Sequence, residues 1–257
     1  MSIEKTGSIV LSAAPYRESS LLVNLFTREH GRINALARGV RRADRRAVPI
    51  ERGYLIDHFT YIRPHRDLQQ ITECQIRDHF PGIRGNLEKT AVRDVLIDIV
   101  LSVMRDSDPH AEMFDYHARF LSELDSMKCD IAAMLLHLSK HIFGMATSLG
   151  VGVDFTVCSV CGKVFDSHTD VCLMIDKGLV RHGSCGRGLS VTDRVIGAEA
   201  AGFFSFVDGA AACALPVISG REGLRMVHCA VDYCRYHLDI RRNMQSLGFL
   251  DSLAVMI

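Results

Sequence analysis

A chain of 257 residues is long enough for one large domain or two modest ones, because the fraction of surface buried rises with size, and two is the expectation. Apolar residues make up 48% and charged residues 23%, which excludes a disordered or low-complexity chain. Lys+Arg and Asp+Glu balance at 30 each, so the molecule is not basic throughout and any surface for nucleic acid has to be a local patch.

The opening MSIEKTGSIV has no basic region ahead of an apolar core and a small-residue cleavage site, so a cytosolic protein is expected. Nine cysteines, an odd number without a disulfide-framework spacing, read as reduced thiols, some of them holding metal. The most apolar stretch, Ala200 to Ile218, contains Gly202, Asp208, Gly209 and Pro216. Those residues are costly or helix-breaking in lipid, so it reads as buried helix plus loop and no membrane association is expected.

From Lys5 to Arg77 the chain presents five short strand patterns, at about 6–13, 20–27, 31–38, 53–62 and 68–76. Glu29-His30-Gly31-Arg32 supplies a hairpin turn between the second and third. Five strands in about 75 residues fit an OB-fold β-barrel, and an SH3-like barrel produces the same coarse pattern. After Pro81-Gly82 the texture becomes helical. Asn86 is a suitable N-cap for a helix whose Leu87, Ala91, Val95, Ile99 and Val103 fall near one stripe, flanked by Leu96 and Val100. Further helices are predicted at about 111–125, 130–149, 191–207 and 221–241. The fold class is therefore α+β multidomain: a small five-stranded barrel, OB-fold or SH3-like, over residues 1–80, then a mainly α-helical domain over 81–257 with a cysteine-bearing insertion at about 155–189.

Between Arg28 and Arg46 stand seven arginines, Arg28, Arg32, Arg38, Arg41, Arg42, Arg45 and Arg46, against only Glu29 and Asp44, a local charge of +5. Arginine suits bidentate phosphate contact and stacking on bases, so this segment is the candidate nucleic-acid-binding patch. Nearby Tyr54, Phe59 and Tyr61 could offer stacking platforms, although strand aromatics are more often core.

Cys158-Ser-Val-Cys161-Gly is followed about twenty residues later by His182-Gly-Ser-Cys185-Gly. A two-residue spacer with a small residue after it lets the chain curl so that both donors face one ion, and Gly162 and Gly186 are expected to supply that freedom. Cys158, Cys161, His182 and Cys185 form a closed Cys3His set for a structural Zn2+, with no open position for chemistry. Cys172 is an alternative to His182, and His168 a weaker one. His228, Cys229, Cys234 and His237 do not converge on a helix at 100° per residue and carry no metal expectation. No dinucleotide, phosphate-loop, nucleophile-elbow or zinc-protease motif is present, so the chain is not expected to be an enzyme.

Tyr16-Arg-Glu-Ser-Ser-Leu-Leu-Val-Asn-Leu-Phe-Thr-Arg-Glu-His-Gly-Arg-Ile33, followed by Ala37-Arg-Gly-Val-Arg-Arg42, resembles the opening of the RecO family. The resemblance continues in order through Leu68-Gln-Gln-Ile-Thr-Glu-Cys74, Met113-Phe114, Leu149-Gly-Val-Gly-Val-Asp154, the cysteine region, Tyr233-Cys-Arg-Tyr-His-Leu238, Ser246 and Phe249. It implies an N-terminal five-stranded OB-fold β-barrel, a C-terminal helical domain with a zinc knuckle, DNA contact by the arginine segment, and a DNA repair and recombination mediator that binds single- and double-stranded DNA and anneals complementary strands. The implied partners are RecR and the C-terminal tail of single-stranded-DNA-binding protein, with RecA and RecF met indirectly in the RecF pathway. The implied location is the bacterial cytoplasm, at the nucleoid during repair. Members with the full metal site usually carry two Cys-x-x-Cys pairs, and this chain departs from that pattern at His182. Two other readings are a zinc-dependent nucleic-acid-processing enzyme and an adaptor that does not need DNA.

Overall fold

The computed structural model describes residues 3–40, 50–62, 66–165, 169–186, 188–198 and 218–255. The apolar stretch read as helix plus loop lies outside the described residues, apart from Ile218 at its end. Two compact units result, Met1–Ser126 and Met127–Ile257.

In the first unit, five strands close into a barrel: β1 (Ile3–Tyr16), β2 (Ser20–Thr27), β3 (Gly31–Ala37), β4 (Leu55–Tyr61) and β5 (Leu68–Asp78). Their order is β1-β2-β3-β5-β4, closed by β1 against β4, with β3 and β5 parallel and the other pairs antiparallel. This is the Greek-key closure of an OB-fold, the first of the two barrels that the strand pattern allowed. β1 reaches both neighbours because it is long and bends: its first half pairs with β4, its second with β2, and the register shifts between Val10 and Ser12. Period-2 alternation sends Val10, Val23, Leu25, Ile33, Ala35, Ile56 and Ile71 into the interior. One end of that interior is polar, with Thr6, Ser8, Thr27, His58 and Thr60 all buried. Ser8 Oγ and His58 Nε2 lie 2.7 Å apart, and Thr27 Oγ1 donates to the Gly31 carbonyl at 2.8 Å.

Three helices complete this unit: α1 (Pro81–Arg84), α2 (Leu87–Val103) and α3 (Ala111–Ser126). The Asn86 side chain accepts from the Lys89 N–H at 2.9 Å, as its N-cap position predicted. The predicted stripe on α2 is too narrow. Leu87 is 59% exposed, while Val92, Leu96, Ile97, Val100 and Leu101 are buried with Ala91, Val95 and Ile99, so the helix is covered on more than one face. Charged side chains tie barrel and helices: Arg52 meets Asp98 at 2.9 Å and Asp94 at 3.1 Å. Gly31 has φ +65°, and a Cβ there would overlap the backbone of Asp108, so the β2–β3 turn and the α2–α3 connection can meet only over glycine.

The second unit contains α4 (Ile131–Ser148), a small sheet of β6 (Val171–Met174), β7 (Leu179–His182) and β8 (Asp193–Ile196), then α5 (Gly220–His237) and α6 (Gln245–Val255). Asp130 and Ser219 cap α4 and α5 by accepting from Ala133 N and Glu222 N. Gly223 lets α5 approach α4 closely, since a Cβ there would stand 3.0 Å from Leu135 and 3.1 Å from the Ala132 carbonyl. The helix predicted at 191–207 is corrected here. Residues 193–196 pair with β6 as a strand, because hydrogen bonding to Val171–Met174 outweighs their weak local helical pattern, and 199–207 lie outside the described residues. The helix predicted to run to 241 ends at His237, where Asp239 turns left-handed at φ 51°, and α6 follows without having been predicted. Among the described residues no helix is long and apolar enough to cross a membrane.

Candidate metal centre and nucleic-acid interface

The cysteine region is built on the small sheet. Val157 bridges Val164, Cys158 N–H donates to the Lys163 carbonyl and Gly162 N–H returns to the Cys158 carbonyl, both at 2.9 Å, which curls the first knuckle. Gly162 holds φ +70°, so the expected backbone freedom is used at this position. Ser159 N–H donates to the Val180 carbonyl at 2.8 Å and fastens the knuckle to β7. His182 ends β7, and the Cys185 N–H donates to its carbonyl at 3.0 Å, forming the second turn. Gly186 does something other than the sequence suggested. It is not left-handed; a Cβ there would run into the Arg181 guanidinium, which lies beneath and meets Asp193 at 3.3 Å and the Gly188 carbonyl at 2.8 Å.

The result brings together all four predicted ligands. One donor atom each from Cys158, Cys161, His182 and Cys185 lies within 4.8 Å of every other. His182 Nδ1 is 3.4 Å from Cys161 Sγ and 3.9 Å from Cys185 Sγ. Tetrahedral zinc bonded at its usual lengths separates such donors by about 3.6–3.8 Å, so these residues fit the ion with little movement. The donor chemistry agrees, three sulfurs and one imidazole. Burial pushes the Cys158 thiol up, but N–H groups of Cys161, His182 and Val160 together outweigh it and hold the thiol at about 6, poised as the thiolate a metal requires. The His182 N–H reaches Cys158 Sγ at 3.4 Å.

Cys172 is not in the set. It faces Asp193 in the core of the small sheet, where burial pushes its thiol up to about 11, the opposite of a ligand's environment. His168 lies outside the described residues. His228, Cys229, Cys234 and His237 separate as helical geometry requires. His228 Nε2 lies 2.6 Å from Asp251, His237 Nε2 lies 2.6 Å from the Ile175 carbonyl, and the two thiols are buried and pushed up to about 12.

The arginine patch divides. Arg28 makes a bidentate contact with Asp115 of α3, from Nε at 3.0 Å and Nη2 at 2.9 Å, which raises the guanidinium and lowers the carboxylate. Arg32 bonds Asp106 at 2.6 Å and the Leu101 carbonyl. Both arginines thus fasten helices to the barrel. Arg38 is exposed on the turn after β3, and Arg41, Arg42, Arg45 and Arg46 lie outside the described residues. Of the candidate stacking aromatics, Tyr54 is buried in the barrel core with its hydroxyl donating to Glu51 at 3.1 Å, and so is no platform. Phe59 is 37% exposed, and the Tyr61 side chain lies outside the described residues.

Beside Arg38 runs a groove that sequence reasoning missed. A hollow of about 480 Å³ lined by Leu36, Arg38, Arg66, Leu68 and Gln70 shares Arg66, Asp67 and Gln69 with a second of about 470 Å³ that reaches Arg32 and Asn34. Its existence depends on the parallel pairing of β3 with β5, which no local pattern reveals.

Comparison with known proteins adds the family. The N-terminal model of recombination protein O matches residues 1–80, and its C-terminal model matches residues 84–241. The chain is 28% identical over 181 residues to the DNA repair protein RecO of Syntrophobacter fumaroxidans, covering 70% of each protein. It is 33% identical over 182 residues to that of Syntrophus aciditrophicus, covering 70% of this chain and 69% of the relative. With that of Anaeromyxobacter dehalogenans it shares 25% identity over 260 residues, 98% of both. Matches that run through the barrel and on through the helical and cysteine regions mean that the chain belongs to the RecO family of non-enzymatic DNA repair and recombination proteins.

Proposed function

We propose that this protein is a recombination mediator of the cytoplasm, acting at the nucleoid, that binds single- and double-stranded DNA and anneals complementary strands. With RecR, and by engaging the C-terminal tail of single-stranded-DNA-binding protein, it helps RecA onto coated strands in a pathway that includes RecF. The observation that carries this reading is family membership through both halves of the chain, joined to a run of arginines that follows the third strand of an OB barrel in the sequence. Residues 1–80 are the DNA-binding domain of this reading, 81–257 hold partner proteins, and the knuckle at about 155–189 holds a structural Zn2+ on Cys158, Cys161, His182 and Cys185. Its arginines neutralise phosphates on two strands and lower their repulsion, so bases can pair without covalent chemistry. Arg38, Arg41, Arg42, Arg45 and Arg46 make the main contacts. Arg28 and Arg32 must first give up Asp115 and Asp106, so they add less.

Annealing of complementary oligonucleotides by the purified protein, without nucleotide and across a salt series, tests this. Annealing that falls steeply with salt and is lost in Arg41→Glu with Arg42→Glu is the expected result. A protein that neither binds nor anneals DNA at low salt is instead an adaptor.

A further inference from the structure

The four ligands of the knuckle are not equally reachable from solvent. Cys158 is 1% exposed and its sulfur accepts the His182 N–H, while His182 is 8% exposed with the Phe165 ring centred 4.7 Å from its own. Cys161 is exposed and Cys185 is half-buried. Burial thus divides the cluster into an inner pair, one thiol and one imidazole, and an outer pair made of two thiols. Both outer sulfurs approach the same nitrogen, His182 Nδ1, at 3.4 and 3.9 Å, and they stand no more than 4.8 Å apart. A disulfide needs about 2.05 Å between sulfurs. Rotation of the two side chains closes most of that gap, and the turn at Cys161 can give as well, since Gly162 has open space where a Cβ would stand.

The bonds that shape the two turns do not use the outer sulfurs. Cys158 N–H holds the Lys163 carbonyl, Ser159 N–H holds the Val180 carbonyl, and Cys185 N–H holds the His182 carbonyl. Both turns therefore keep their places while the outer pair reacts. A thiolate that a hydroperoxide can reach becomes a sulfenic acid, and a neighbouring thiolate turns that into a disulfide. Here the Cys161 sulfur gives two electrons to hydrogen peroxide, whose O–O bond breaks to leave one oxygen on sulfur and release a hydroxide. Cys185 Sγ then attacks that sulfur, the S–S bond forms and a second hydroxide leaves. Because the fourth ligand is an imidazole, Cys158 has no thiol left to pair with in the knuckle, and oxidation stops at one disulfide. Cys158 and His182 alone are too few donors for a tetrahedral ion.

Building on the structural-zinc reading, we propose that the knuckle is a peroxide-sensitive latch: oxidation joins Cys161 to Cys185, and the protein gives up its zinc while a covalent bond takes over the join between the two turns.

The test treats full-length, zinc-loaded protein with hydrogen peroxide beside a dye that reports released zinc, and maps the knuckle peptides by mass spectrometry. Wild type loses its zinc in step with a Cys161–Cys185 disulfide, and a dithiol reductant with added zinc restores the starting state. Cys161→His keeps a donor for the ion but can form no such bond, so its release is slower by about tenfold or more. His182→Cys gives Cys158 a partner and forms a second disulfide. Zinc release without a disulfide, a wild-type disulfide that uses Cys158, or a wild-type rate in zinc-loaded Cys161→His overturns the proposal. If Cys161→His does not load, the wild-type map decides. Wild-type protein that holds no zinc at the outset overturns the metal reading beneath it.

Discussion

His182 and Cys172 compete for the fourth ligand on spacing alone, and their surroundings separate them. His182 closes the cluster with its ring nitrogen among the sulfurs, whereas Cys172 is buried in the small sheet, where burial and the facing Asp193 carboxylate keep its proton on. Purified protein should therefore carry one zinc per chain by elemental analysis. Cys161→Ser or Cys185→Ser should lose it, and His182→Cys and Cys172→Ser should keep it. A Cys172→Ser protein without zinc would reverse the assignment. Two buried histidines make a second residue-scale prediction. Burial holds His58 down to about 4 and His117 to about 3, so both are neutral in the folded state and take up protons on unfolding below their ordinary 6.5. A depressed folded value means that the stabilisation is present above pH 6.5 and is lost as pH falls toward 4. Each histidine contributes up to about 2 kcal/mol to the loss between pH 6.5 and 5. Urea melts of wild type and His117→Phe at the two pH values should show a smaller drop in the variant, and equal drops would contradict the assignment.

At the scale of elements, β8 is held by tertiary contacts. Its four residues lack a strong alternating pattern, and they gain their place by pairing with β6 and by the Arg181–Asp193 contact, in which both side chains are 6% exposed. Removing one member of such a pair strands the other charge, so Asp193→Ala should destabilise the protein by about 3–5 kcal/mol in denaturant melts. The knuckle stands on β7 next to Arg181, so the same variant should also release zinc more readily to a chelator. Loss of stability without faster release would mean that sheet and knuckle are independent. The barrel's elements show the opposite economy. Arg28 and Arg32, at the start of the arginine run, are occupied by α3 and the α2–α3 connection, whereas among the described residues Arg38, later in the same run, and Arg66 have no ion-pair partner.

For the whole molecule, formal neutrality and DNA binding are compatible because charge is distributed unevenly. If phosphate contact dominates, binding weakens in proportion to the counterions released, by about 0.7 in log–log slope for each single-strand phosphate and 0.9 for each duplex phosphate. Titrations from low to physiological salt should therefore be steep on both substrates and steeper on duplex when the same number of phosphates is met. A flat dependence would point to base contacts or protein partners.

Features set by neighbours along the chain were legible in the sequence. Strands at 20–27 and 31–37 follow from short runs of β-forming residues on either side of a hairpin turn, the Asn86 cap from a side chain reaching three residues ahead, and the four ligands from short spacers that curl the backbone around one point. Family resemblance extended that reading over the whole length. Features set by residues far apart were decided only by the fold. Closing β1 on β4 and β3 on β5 chose the OB barrel over its alternative, put Tyr54 in the core, gave Arg28 and Arg32 to Asp115 and Asp106, and opened the groove beside Arg66. An arginine has the same charge in a sequence whether a carboxylate or water faces it, and what faces it is determined by packing between segments that sequence spacing does not relate.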